Sequence, residues 1–183
     1  KRNIRLIMKI IILSAEAENF VPQELKKKAE EKGYDVELIN PDECYISISS
    51  EPYISYNGTK FLGADICIPR MSEENSEYKV AIMDHLVNMG VKCVNSGSGM
   101  QLASNKLECQ IVMSKNGIKT PNSIMLTDAS QLDYAVKSIG EKFPIIVKTI
   151  YGTHGIGVMR ADSMESLRSV VQHLLKAKDQ FIL

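Results

Sequence analysis

The sequence predicts an α/β fold, with an open parallel sheet in the first half of the chain and an α+β region in the second half. Two observations support this prediction. Residues 8–39 follow the order strand, helix, strand, which is the order of a β-α-β unit. Residues 143–160 form two strand patterns on either side of a glycine-rich turn, and helix patterns lie before and after them.

The first three elements predict a central strand with a helical crossover. Residues 8–14 are a β-branched run that ends at Ser14, which is typical of a strand buried on both faces of a parallel sheet. Residues 22–32 carry Leu25 and Ala29 four positions apart among many charges, and Gly33 stands where a helix would end. Residues 34–39 alternate and predict the second strand.

A small antiparallel excursion is predicted before the parallel sheet resumes. Residues 45–61 contain two alternating stretches around Asn57-Gly58, a dipeptide that favours tight hairpin turns. Residues 64–70 then predict a buried strand. Residues 78–89 predict a helix that Gly90 ends, and residues 91–95 predict a short strand.

The second half of the chain combines helices with strands. Helices are predicted at residues 98–116, 132–139 and 164–176, and strands at residues 123–126, 143–148, 158–160 and 180–183. We find no internal repeat and no low-complexity linker. The expected domain boundary lies near residues 96–99. The predicted domains are therefore residues 8–97 and 98–183.

Composition excludes several classes of protein. Apolar residues make up 44% of the 183 residues and charged residues 24%, which is typical of a folded globular protein. Lys plus Arg and Asp plus Glu number 22 each, so no overall positive charge exists to attract nucleic acid or an anionic membrane. We therefore expect neither as a partner.

The sequence also argues against a secreted or membrane protein. No apolar run approaches the roughly 20 residues of a membrane span, and Arg5 and Lys9 interrupt the first apolar stretch, so we expect no signal peptide and no anchor. The cysteines are widely spaced and form no metal-ligand pattern, which favours buried free thiols in a reducing cytoplasm. They are Cys44, Cys67, Cys93 and Cys109.

Residues 148–158 carry the clearest chemical signal, since three glycines fall within six residues between two strands. Glycine permits positive φ and lets backbone N–H groups approach a ligand, so such a turn can close over phosphate oxygens. Lys148 would add a positive charge beside the same phosphates. The turn matches neither the P-loop nor the dinucleotide fingerprint, and an ordinary β-hairpin explains the pattern equally well.

Several segments in order resemble the RimK-like ligases of the ATP-grasp superfamily. Residues 145–148 (IIVK) and 152–158 (GTHGIGV) resemble the ATP-binding lysine strand and the glycine flap of that family. Other segments resemble the family in order and at similar spacing, namely residues 8–14, Asn40-Pro41 with Cys44-Tyr45, residues 68–70 and residues 104–107. The resemblance covers nearly the whole chain from Met8. It implies a pre-ATP-grasp domain followed by the first, α+β subdomain of an ATP-grasp fold, truncated at its end.

The resemblance implies a nucleotide site. Lys106 and Lys148 are expected to contact ATP phosphates, and the glycine flap is expected to close over them. In the Lys106 motif of the family an aspartate commonly precedes the lysine, whereas this chain has Asn105. Without the family, Lys106 would be interpreted as a solvated helix lysine. The implied flap residues are Gly152, Thr153, His154, Gly155, Ile156 and Gly157.

Other residues receive weaker assignments. Arg70 ends a predicted strand, where open α/β sheets bind ligands, so we treat it as a candidate for substrate contact. Glu73, Glu74 and Glu77 are interpreted as the solvated acidic start of a helix and not as metal ligands. No catalytic residue is assigned. Mg²⁺ is expected with ATP, but its ligands are expected after Leu183, so the 183 residues alone should not catalyse.

The leading hypothesis is an ATP-dependent carboxylate–amine ligase that forms an acyl phosphate and adds glutamate or a related amino acid. The acceptor would be a protein C-terminus or a small molecule. The alternatives are a nucleotide-binding module without catalysis and an α/β interaction domain whose flap is an ordinary hairpin. A homo-oligomer is a further candidate assembly. Residues 1–7 precede the region of family resemblance, and the sequence does not assign their origin.

Overall fold

A computed structural model describes residues 7–61, 63–70 and 76–183 of the chain. These residues fold into two compact units, the first ending at Gln101 and the second comprising Leu102–Leu183. The first unit contains β1 (Lys9–Leu13), α1 (Phe20–Glu31), β2 (Asp35–Ile39), β3 (Cys44–Ser47), β4 (Tyr53–Tyr56), β5 (Thr59–Phe61), β6 (Ile66–Pro69), α2 (Ser76–Asn88) and β7 (Lys92–Cys93).

The first unit is built on a four-stranded parallel sheet in the order β2-β1-β6-β7. The prediction of a central first strand is confirmed, since Ile11 and Ile12 of β1 are both fully buried. Ile12 packs on the side of α1, where Leu25 and Ala29 lie, and Ile11 packs with Ile82 of α2. Helices thus cover both faces, as the uninterrupted apolar run of β1 requires.

The predicted antiparallel excursion is also confirmed. Strands β3, β4 and β5 form a three-stranded antiparallel sheet with β4 in the middle. The β4–β5 turn contains Asn57 and Gly58 with φ of 49° and 73°, the left-handed conformations that this dipeptide favours. Ile54 and Phe61 anchor the excursion in the same apolar cluster as Ile11.

The second unit places two helices against a small sheet. It contains part of α3 (Gly97–Ser104), inside which the unit boundary falls, then α4 (Lys106–Lys115), α5 (Leu132–Ser138), β8 (Ile145–Thr149), β9 (Val158–Ala161), α6 (Met164–Ala177) and β10 (Phe181–Ile182). The sheet is antiparallel in the order β10-β8-β9. Val147 of β8, Leu167 and Val171 of α6, and Phe181 are fully buried in one core.

Two predicted elements were wrong. Residues 98–116 form two helices instead of one, because the Asn105 side chain accepts hydrogen bonds from the Leu107 and Glu108 N–H groups and so begins α4. Residues 123–126 form no regular strand. They contribute one bridge, between Met125 and Ile182, since β10 offers only two residues for pairing.

All four cysteines are free thiols, and Cys44 and Cys67 are buried. Burial, followed by the charges of Glu43 and Asp42, raises the pKa of Cys44 to about 11. Burial also raises the pKa of Cys67, with the neighbouring Cys93 as a lesser cause. Within the described residues no helix is both long and apolar enough to cross a membrane.

The buried thiols should resist alkylation in the native protein. The thiolate is the reactive species, and burial both blocks access to Cys44 and Cys67 and disfavours their ionisation. With iodoacetamide at pH 8, mass spectrometry should show both cysteines reacting at least about tenfold more slowly than in the urea-unfolded chain. Half-buried Cys109 serves as the internal control. Equal labelling of all three in the native chain would contradict the described core.

Candidate functional site

The glycine flap predicted from the sequence is a turn between β8 and β9. The Thr149 N–H donates to the Gly157 carbonyl at 2.9 Å, which closes the turn at its base. Inside the turn, the Ile156 N–H donates to the Thr153 carbonyl at 2.9 Å, and the Val158 N–H donates to the Gly155 carbonyl at 3.2 Å. The flap, residues 152–157, therefore has a closed base and its own internal turn.

Two of the flap glycines are required by the geometry. Gly157 has φ of 74°, and a Cβ at this position would collide with Oγ1 of Thr149. Gly152 has φ of 129°, and a Cβ would lie 2.9 Å from the Ile156 carbonyl oxygen. The base of the flap is therefore too tight for any side chain at these two positions.

The flap tip is exposed and polar. His154 has φ of 52° and is exposed, as are Thr153 and Gly155. Ile156 is 73% exposed, so no packed apolar side chain anchors the tip. Few buried contacts are typical of segments that open locally at small free-energy cost, which suits a turn that closes over a ligand.

Lys106 is joined to the start of the flap. As the first residue of α4, it donates its N–H to the Ile150 carbonyl at 3.1 Å. Its Nζ donates to the Gly152 carbonyl at 2.8 Å and to the Ile150 carbonyl at 3.4 Å. Lys106 is half-buried and ordered by these bonds, unlike the solvated helix lysine that the residues alone suggested.

Lys148 lies on the opposite face of β8 from the buried Val147. It pairs in register with Val158 of β9 on one side and Ile182 of β10 on the other. The side chain lines a cavity of about 260 Å³, together with Gln110, Ser123, Lys142, Ile146 and Ile182. Alternation along β8 therefore directs the ammonium away from the core and towards this cavity.

The groups around the flap fit an anion. Two lysines and a glycine-rich backbone provide positive charge and N–H donors, which are the groups that bind phosphate oxygens. Mg²⁺ needs oxygen ligands, usually carboxylates, and these side chains provide none. Among the described residues no group of three His, Cys, Asp or Glu side chains is arranged to hold a metal ion. The flap and its lysines thus fit nucleotide phosphates but do not form a magnesium site.

The remaining candidates lie elsewhere in the chain. Arg70 belongs to the first unit, where its exposed side chain follows β6 and its N–H donates to the Leu13 carbonyl at 2.7 Å. It therefore lies at the carboxyl edge of the parallel sheet, as predicted. Glu77 is exposed in the first turn of α2. Glu73 and Glu74 lie outside the described residues.

Sequence reasoning missed the residues that hold the flap in place. Asn105 was noted only as a departure from a motif, although Asn directly before a helix is a known capping signal. Its Nδ2 donates to the Tyr151 hydroxyl at 3.3 Å. Oγ1 of Thr149 donates to the Tyr151 carbonyl at 2.6 Å. Neither contact with Tyr151 has a periodic sequence signature.

Comparison with known families covers both units. Residues 8–100 match the family described as RimK PreATP-grasp domain, and residues 103–182 match the RimK-like ATP-grasp domain. The chain belongs to the RimK-like ATP-grasp family. The resemblance inferred from the motifs is therefore confirmed, and so is the α/β fold class with its parallel sheet.

Curated relatives are named as ligases. A probable alpha-L-glutamate ligase from Coxiella burnetii is 33% identical over 172 residues, which are 93% of this chain and 57% of the relative. A probable alpha-L-glutamate ligase from Thioalkalivibrio sulfidiphilus is 29% identical over 176 residues, or 96% of this chain and 58% of the relative. The RimK-like chain thus spans somewhat more than half the length of these relatives.

Solved structures share the fold at low sequence identity. A RimK domain protein ATP-grasp from Sphaerobacter thermophilus aligns with a TM-score of 0.70 at 14% identity, over 95% of this chain and 62% of that structure. D-alanyl-alanine synthetase A from Vibrio cholerae aligns with a TM-score of 0.71 at 13% identity, over 96% and 58%. The ATP-grasp ligase PsnB, complexed with a minimal precursor, aligns at 0.69 and 13%, over 94% and 62%.

Substitution of the flap glycines should separate tight packing from backbone strain. Gly157→Ala adds a methyl group that collides with Thr149, whereas Gly155→Ala has open space and meets only the penalty of φ at 80°. Hydrogen exchange should show the Thr149 amide losing protection on the order of tenfold in Gly157→Ala. A smaller effect is expected in Gly155→Ala. Equal loss of protection in the two variants would contradict the close packing of Gly157 against Thr149 at the base of the flap.

Proposed function

We propose that this chain supplies the phosphate-binding part of an ATP-dependent carboxylate–amine ligase. The observation that supports the proposal is the flap between β8 and β9, with Lys106 bonded to its start and Lys148, on β8, lining a cavity. Phosphoryl transfer depends mainly on positioning and on neutralising charge, and two lysines with a glycine flap provide both. The family and the names of the curated relatives agree with this chemistry.

The reaction couples two transfers. The γ-phosphoryl group of ATP passes to a carboxylate oxygen, which gives ADP and an acyl phosphate. An amine then attacks the acyl carbon, the bond to the phosphate oxygen breaks, and an amide and inorganic phosphate form, with the proton of the amine passing to the phosphate. Lys106 and Lys148 hold the transferring phosphates, and the flap excludes water that would hydrolyse the acyl phosphate. Mg²⁺, when bound with ATP, adds further charge neutralisation.

The names of the relatives favour glutamate as the amino acid that is joined. The Coxiella burnetii relative is named as a glutamate ligase, and PsnB was solved with a precursor peptide. We therefore propose glutamate or a related amino acid as one substrate and a protein C-terminus or a small molecule as the other. Arg70, a cation at the carboxyl edge of the parallel sheet, is proposed to contact a substrate carboxylate. ATP as substrate and four free thiols favour the cytoplasm.

A nucleotide-binding module without catalysis is the second candidate. It is favoured by one observation, namely that Lys106 is bonded to the start of the glycine flap, a pairing of charge and backbone donors that is enough to hold nucleotide phosphates without catalysis. The two candidates differ in turnover. A ligase releases ADP only when a carboxylate and an amine are present, whereas a binding module retains ATP unchanged.

Lys148→Ala should weaken ATP binding strongly. Removal of a charged donor to phosphate costs roughly 1.5–3 kcal/mol, so the Kd for ATP should rise by at least about tenfold. Lys176→Ala, which removes an exposed lysine from α6, is the matched control and should leave the Kd unchanged. Calorimetry on the longest polypeptide that the gene encodes measures both. An unchanged Kd for Lys148→Ala would defeat the assignment of this residue.

A further inference from the structure

The start of the flap is held by two consecutive residues, the cap residue of α4 and its first helical residue. Lys106 binds the carbonyls of Ile150 and Gly152, and Asn105 donates to the hydroxyl of Tyr151 at 3.3 Å. Residues 150, 151 and 152 are thus each bonded to Asn105 or Lys106, which lie 44 to 46 positions earlier in the sequence. We refer to residues 150–152 as the entrance segment.

The orientation of Asn105 is determined by its own helix. Its Oδ1 accepts from the N–H groups of Leu107 and Glu108, both at 3.1 Å, so Nδ2 must face the other way. The side chain is buried, with 9% of the residue exposed, which keeps it in this orientation. The donor that reaches Tyr151 therefore belongs to an amide whose oxygen already accepts two helix N–H groups. An aspartate could cap the helix equally well but could not donate.

Tyr151 gains its fixed position mainly from hydrogen bonds. Its residue is 58% exposed, so packing restrains the ring weakly. The hydroxyl accepts from Asn105, and the backbone carbonyl accepts from Oγ1 of Thr149 at 2.6 Å. The first bond ties the entrance segment to α4, and the second ties it to the end of β8. Loss of either bond leaves the segment with one restraint fewer.

Lys106 keeps a donor for a ligand while it holds the entrance segment. An ammonium group has three N–H donors, and the carbonyls of Gly152 and Ile150 use two of them. The third is left for a phosphate oxygen, so that ligand binding would not require release of the flap. Lys106 can therefore bridge the flap and the nucleotide, provided that the entrance segment stays against α4.

We propose that Asn105 and Tyr151 are positioning residues, whose hydrogen bond holds the entrance segment against α4 and so aligns Lys106 and the flap with the nucleotide phosphates. This inference rests on the proposed function for its ligand. The hydrogen bond itself does not, since it joins two side chains of this chain. The effect of the hydrogen bond on the entrance segment can therefore be tested separately from nucleotide binding.

The first experiment measures hydrogen exchange of residues 150–157 in the nucleotide-free chain. Tyr151→Phe removes the acceptor, and Asn105→Ser keeps a helix cap but cannot reach Tyr151. Loss of one neutral hydrogen bond should speed exchange roughly two- to tenfold in each variant, with no further change in the double variant. Asn105→Asp should keep the wild-type rate, because the tyrosine hydroxyl can donate to the carboxylate.

Tyr134→Phe, at an exposed tyrosine of α5, is the control and should leave the exchange rate of residues 150–157 unchanged. Unchanged rates in Tyr151→Phe and Asn105→Ser, or additive rates in the double variant, overturn the proposal.

The second experiment compares ATP with adenosine on the longest polypeptide that the gene encodes. Tyr151→Phe should weaken ATP binding roughly two- to tenfold and leave adenosine binding unchanged, since the flap is placed to contact phosphates. Equal weakening of both ligands would indicate general loss of structure and would overturn the positioning role. If the wild type binds neither ligand, the proposed function fails, and the exchange rates alone decide whether Asn105 and Tyr151 position the flap.

Discussion

The candidate site depends on the bonds between the Lys106 ammonium and the carbonyls at the start of the flap. Nζ lies 2.8 Å from the Gly152 oxygen and 3.4 Å from the Ile150 oxygen, so the charge is compensated in part by backbone dipoles. Together with the Lys106 N–H and the Asn105 amide, this contact holds the start of the glycine-rich turn against the start of α4. Because the residue of α4 that holds the flap also carries a charge, the proposed phosphate contact and the order of the turn depend on the same side chain.

The small sheet of the second unit provides the rigid support for this arrangement. Val147 and Phe181 are buried beneath α6, so β8 and β10 are held by apolar packing on one face. The two-residue period of β8 then places Lys148 on the other face, beside the cavity. The buried residue Val147 and the charged residue Lys148 are therefore neighbours in the sequence but lie on opposite faces of β8. A shift of register by one residue would bury the ammonium and expose Val147.

Local signals predicted most of the fold, whereas contacts between distant residues set the details of the site. The uninterrupted run of β1 and the Asn57-Gly58 turn each carry their structure in a few adjacent residues, and both predictions are confirmed. Residues 98–116 were predicted as one helix, since helical spacing outweighed a single capping residue, Asn105. The Asn105–Tyr151 bond joins residues 46 positions apart, and helical or strand periodicity in the sequence does not predict such a contact. Family resemblance predicted the two lysines and the flap as a nucleotide site, but it did not predict the residues that hold the start of the flap.

Calorimetric titration of ATP with Mg²⁺, on this chain and on the longest polypeptide that its gene encodes, tests the central claim most directly. The phosphate-binding role of Lys106, Lys148 and the flap predicts saturable binding by the longer polypeptide, with one nucleotide per chain. Absence of binding by both forms would contradict that role and leave the ATP-grasp likeness as a property of the fold alone.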